Sequence, residues 1–167
     1  MQSPPATLAR TPMSRWIVEG WNPLGDQPAQ SDDQIFELLA AAVFQARFRP
    51  AVVQARWPAI RRAFAGFDLA AVAAWPDERL PDLMAAEGMI RNEKKIRATL
   101  RNARDLATRS RQWGGALVYL QSLGSDEEAL VRGIDTWAHY IGAPSIRWFV
   151  RALGAQSQAN TKDVESR

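Results

Sequence analysis

The stretch that most constrains this chain runs from Glu87 to Leu106 and reads EGMIRNEKKIRATLRNARDL. Gly88 ends one helix, Met89, Ile90 and Arg91 form a short apolar and basic turn, and Asn92 can cap the helix that follows. Ile96, Leu100 and Ala103, with Leu106 or Ala107, then recur at helical spacing and predict a buried face. Lys94, Arg97, Arg101 and Arg104 fall at i, i+3, i+7 and i+10, which puts a basic stripe on the same helix. Two readings of that stripe stand side by side. One is a solvated helix face; the other is a face turned toward a polyanion.

A chain of 167 residues is long enough for one domain with a real core, and its 47% hydrophobic content is that of a globular protein. No apolar run reaches the roughly 18 residues of a membrane span. The start, MQSPPATLARTPMSR, lacks the apolar centre of a signal peptide, so a cytoplasmic protein is expected. Without cysteine there is no disulfide and no thiolate metal site, and His139 alone cannot build a histidine cluster, so no metal and no cofactor are expected. A net charge of +3 permits nucleic-acid binding without demanding it.

In chain order, residues 1–15 read as a flexible tail, 16–154 as a single helical domain and 155–167 as a second tail. Trp16 to Pro28 carries two tryptophans, two glycines and two prolines, and reads as an irregular packed loop that either caps the core or walls a pocket. Ser31 caps a helix to about Arg47, with Asp32 and Asp33 in its first turn and Ile35, Phe36, Leu39, Val43 and Ala46 buried. Pro50 opens a second helix to about Phe64, with Val53, Trp57, Ile60 and Phe64 inward and a kink or break expected at Pro58. Asp68 caps a short helix to Ala74, and Asp77 begins another to about Ala86. The basic helix follows, from about 92 to 111, closed by Trp113, Gly114 and Gly115. Ala116 to Leu123 is a short apolar helix. Ser125 with Glu128 forms a capping box for a helix striped by Leu130, Ile134 and Trp137. Nothing reads as a strand, so the fold class is all-α, a helical bundle.

Trp137 to Gly154, WAHYIGAPSIRWFVRALG, is the second informative stretch. A helix ends, Ile141 to Ser145 turn, and a further helix follows with Ile146, Phe149, Val150 and Leu153 inward and Arg147 and Arg151 outward. Such a turn suits a phosphate: glycine lets backbone N–H groups approach, and the next helix adds its positive dipole end.

The Gly-hydrophobic-hydrophobic-Arg-Asn run at 88–92, the basic residue before Ile96, and Asn102, Ala103 and Arg104 together resemble the DNA-3-methyladenine glycosylase I family, of the helix-hairpin-helix DNA glycosylases. The hairpin at 141–145 resembles that superfamily in the right order, and the resemblance spans roughly Trp16 to Gly154. It implies a helical bundle of the helix-hairpin-helix glycosylase type acting on alkylated double-stranded DNA. The implied activity is base-excision repair, releasing alkylated adenine of the 3-methyladenine type by hydrolysis of the N-glycosidic bond. A monomer is expected. The resemblance places Trp16, Glu19, Trp21 and Gln45 as base-pocket candidates. It places Gly142, Ser145, Arg147, Arg97 and Arg101 against DNA phosphate.

The departures fall where chemistry would be. The family glutamate that contacts the extruded base falls on Ala42, the glycine after it on Val43 and the next position on Phe44, while the glutamine survives as Gln45. A family tryptophan falls on Pro50, and the family zinc clip has no counterpart. An alkylated base is already cationic and leaves readily, so shape and stacking carry much of the work. Glu19 is a substitute carboxylate, and Asp163 a remoter one. Besides the glycosylase, two readings stay open: a DNA-binding relative without catalysis, and a binder of a small nucleobase-like or apolar ligand.

Overall fold

The computed structural model describes residues 20–153, so Trp16, Glu19, Asp163 and both expected tails lie outside the described residues. The first helix, α1 (Asp32–Gln45), starts where the Ser31 hydroxyl accepts the N–H of Gln34 at 3.2 Å. The expected stripe understates its burial, because every residue from Ile35 to Gln45 is buried. Small residues at Ala40, Ala41 and Ala42, and Glu37 as the single charge within that buried stretch, allow neighbours to pack all round it. Glu37 accepts the indole N–H of Trp57 at 3.0 Å and faces Arg61 Nε at 3.4 Å, so its charge is partnered.

Helix α2 (Pro50–Ala63) buries Val53, Trp57 and Ile60, and Phe64 follows them into the core. Pro58 does not break it. The helix runs through, and Pro58 lies exposed, as does Gln54, whose carbonyl loses its helical donor; water can take that carbonyl. The aromatic core grows from this helix. Trp57 stacks on Phe67 with centroids 5.1 Å apart, and its ring meets Trp21 and Phe44 edge-on.

A single 3₁₀ turn, Ala65–Phe67, leads to α3 (Leu69–Ala73), whose cap is Asp68, accepting from Ala71 N at 3.0 Å. The helix expected over 77–86 is divided into a 3₁₀ turn, Asp77–Arg79, and α4 (Leu80–Ala85). Pro81 explains the division, since it has no N–H to donate back to Asp77.

Helix α5 (Glu93–Trp113) is the longest of those described and is capped by Asn92, whose Oδ1 accepts Lys95 N at 3.1 Å. It ends at Gly114, which takes the left-handed φ of 80° that side-chain-bearing residues avoid. Ile96, Leu100, Ala103, Leu106 and Ala107 are buried as expected. Helix α6 (Ala116–Ser122) follows, then α7 (Glu127–Asp135). The cap of α7 is Asp126 rather than Ser125: its carboxylate accepts Ala129 N at 2.7 Å, leaving both Glu127 and Glu128 in the first turn. The last described helix, α8, covers 143–153 and buries Ile146, Phe149 and Val150, with Leu153 half-buried. Among the described residues no helix is long and apolar enough to cross a membrane.

Candidate functional site

The inner face of α5 is not wholly apolar. Lys95, Thr99 and Asn102 recur at i, i+4 and i+7 and are all buried, with Asp105 one further step along the same face. Lys95 reaches the end of α1, where Nζ donates to the carbonyls of Phe44 (2.7 Å) and Ala46 (2.8 Å) and lies 4.9 Å from the Phe48 ring centroid. Burial pushes its ammonium down from 10.5 to about 8, because the charge has been taken out of water. The two carbonyls, at the negative end of the α1 dipole, keep the group in place.

Asn102 holds the opposite wall. Its Oδ1 accepts His139 N at 2.7 Å and its Nδ2 donates to His139 O at 3.3 Å, while the His139 ring meets Asp105 Oδ2 at 2.6 Å. One helix thus fixes both the turn after α1 and the loop before α8.

Between those two walls lies a cavity of about 490 Å³, within the roughly 300–1,000 Å³ of ligand pockets. It is lined by Gln45 to Phe48, Asn92, Lys95, and Tyr140 to Gly142 with Pro144 and Ser145. No carboxylate is among these residues, whereas Arg47 and Lys95 are basic, so the lining favours an anion. Two of its residues, Arg47 (φ 53°) and Tyr140 (φ 55°), hold left-handed backbones that bulky side chains rarely adopt. Ser145, only 8% exposed, sits in the first turn of α8, and its hydroxyl has no hydrogen-bond partner among the described residues.

The structure brings three residues singled out from sequence, Gln45, Gly142 and Ser145, to this one cavity. Gln45 lines it but is heavily engaged: Oε1 accepts Trp21 N at 2.7 Å, and Nε2 donates to Trp21 O and Ala41 O. Trp21 itself packs edge-on against Trp57 at 5.5 Å and does not line the cavity. Arg147 is paired with Glu128 and Glu127 of α7, and Arg97 with Glu93. Arg101 is exposed and has no ion pair among the described residues. Arg104, expected outside, is half-covered: it pairs with Asp77 and donates to Trp75 O at 2.8 Å, tying α5 to the turn before α4.

Sequence reasoning missed Lys95 as a site residue. Its signal was the polar spacing 95, 99, 102 inside an otherwise apolar face.

The model of the methyladenine glycosylase family matches residues 22–140. The chain belongs to that family. The match runs from the Trp21 loop through α1 to the start of the hairpin, and so includes the α1 side of the cavity. Solved structures of 3-methyladenine DNA glycosylase I share the fold. One crystal structure superposes with a TM-score of 0.67 at 20% identity, over 87% of this chain and 90% of that one. A second, from Staphylococcus aureus and concerned with 3-methyladenine recognition, gives 0.67 at 16% identity over 92% and 87%. A solution structure gives 0.64 at 21% identity over 89% and 88%. The architecture is thus the all-α fold of those 3-methyladenine DNA glycosylase I structures. Ala42, on which the sequence resemblance sets the family glutamate, is 2% exposed and does not line the cavity, and Pro50, on which it sets the family tryptophan, starts α2.

Proposed function

We propose that this chain is a base-excision DNA glycosylase that binds duplex DNA at the hairpin and releases alkylated adenine of the 3-methyladenine type. The acid-free, basic cavity between the end of α1 and the hairpin supports the phosphate-binding half of this reading, and membership of the family supports the base-release half. The backbone at Gly142, the Ser145 hydroxyl and the start of α8 take a phosphate. Arg97 and Arg101 lie further along the basic face of α5, while Arg147 contributes less because Glu127 and Glu128 offset its charge. Phe48 gives the cavity an aromatic surface and Asn92 an amide, while the Gln45 amide beside them is bonded to Trp21 and Ala41. An extruded base needs both stacking and edge contacts.

The reaction asks little of a general base. The bond from the sugar C1′ to the base breaks with its electron pair passing to the base, which neutralises the base's positive charge. Water bonds to C1′ and gives its proton to solvent. The sequence resemblance assigns base stacking to Trp16 and, in place of Ala42, the acceptor role to Glu19.

Ala42 specifically favours a second reading, in which the protein binds DNA and does not excise. Incubating the purified full chain with duplex DNA carrying 3-methyladenine separates the two, with Gln45→Ala and Glu19→Ala alongside. Free base above the uncatalysed rate, reduced in Glu19→Ala, supports the glycosylase. Salt-sensitive binding without release supports the second reading. Absence of both overturns the pair and leaves a small-ligand binder.

A further inference from the structure

Tyr140 is the one residue of the hairpin loop that the fold holds outward as a large apolar surface. It is 50% exposed, while Ile141 beside it is 8% exposed. On its other side, the backbone of His139 is bonded at both N–H and carbonyl by the Asn102 amide, and its ring is held by Asp105. Between these two fixed neighbours Tyr140 takes φ 55°. A bulky aromatic residue left to local preference avoids that region. The anchors on either side decide the conformation, and its result is an aromatic ring in water at the rim of the cavity, two residues before Gly142.

We propose that Tyr140 is a stacking face for a nucleobase that has left the duplex stack at the cavity mouth. The proposal rests on the reading that the chain binds DNA and goes beyond it by naming the residue and the ligand surface. A flat ring exposed to water gains from a flat partner, and every base offers one, so such a contact tolerates any sequence. The contact requires a base free of its neighbours. Tyr140 therefore matters for DNA that is locally unpaired and little for an intact duplex, whose affinity comes from phosphates.

The test measures binding of the parent chain, Tyr140→Ala and Tyr140→Phe to two duplexes of the same sequence, one intact and one with a single abasic site, at fixed salt. Circular dichroism confirms that each variant is folded. The parent is expected to prefer the abasic duplex. Tyr140→Ala should lose about tenfold or more on that duplex and change little on the intact one. Tyr140→Phe, which keeps the ring, should match the parent. Tyr140→Ala binding the abasic duplex as tightly as the parent overturns the proposal, as does a Tyr140→Phe loss equal to that of alanine. A parent that binds neither duplex overturns the DNA reading beneath it, a result distinct from both.

Discussion

Lys95 on α5 donates to the carbonyl of Phe44 at the end of α1 at 2.7 Å, across 51 positions of sequence. The same ammonium takes the Ala46 carbonyl, so two acceptors of the α1 terminus depend on one side chain. Removing it leaves both without a donor. Lys95→Met is expected to lower stability at pH 7 by about 1–3 kcal/mol, the usual cost of stranding groups bonded to a charge. Urea unfolding of parent and variant measures it, and equal midpoints would count against this role.

The same lysine gives a pH dependence with a definite sign. Its native value is pushed down by burial to about 8, against 10.5 ordinarily. Below pH 8 native and unfolded chains both hold the proton, and the cost of the buried charge is fully present. Between pH 8 and 10.5 the unfolded state binds more protons, so this group's contribution to stability rises with pH. The stability gap between parent and Lys95→Met should therefore widen from pH 8 to 10. A titration of the Lys95 side chain by NMR with a midpoint above 10 would exclude it.

Asp32 shows a second long-range dependence. Its Oδ1 accepts Ala116 N at 2.9 Å, at the start of α6, and its Oδ2 accepts the Ser110 hydroxyl. Asp32→Ala removes a cap from a helix 84 positions away as well as a charge from its own first turn. The expected loss is about 1–2 kcal/mol, measured by thermal unfolding. Asp126→Ala, which touches α7 alone, should cost less.

Gly142→Val separates a ligand role from a structural one. Gly142 is not among the left-handed glycines, and a Cβ there meets only Pro144 Cδ, at 3.7 Å. Nothing in the described chain requires glycine at this point beyond its modest advantage ahead of a helix. The variant should fold, at a cost of at most about 1 kcal/mol. Its duplex DNA affinity should fall, with a shallower salt dependence as a phosphate contact is lost. Unchanged affinity in a folded variant would make the hairpin structural.

Local chemistry determined much of this protein in advance. Ser31, Asp68 and Asn92 cap helices because a short side-chain oxygen next to free N–H groups acts within a few residues. The apolar faces of α2 and α5 follow from a 3.6-residue period that needs no knowledge of neighbours. The break in helix at 141–142 and the helix after it were legible in the sequence too. What tertiary structure alone decided is which of those residues are free. Gln45 is fastened to Trp21, Arg147 to Glu127 and Glu128, and Arg104 to Asp77, because partners far away in sequence stand opposite them. The all-round burial of α1 from Ile35 to Gln45 also had to wait for its surroundings, since alanines fit either side of a helix. Lys95 marks the limit most sharply. A lysine reads as solvent-facing until a helix terminus with unmet carbonyls is brought against it, and only the packing of α5 on α1 does that.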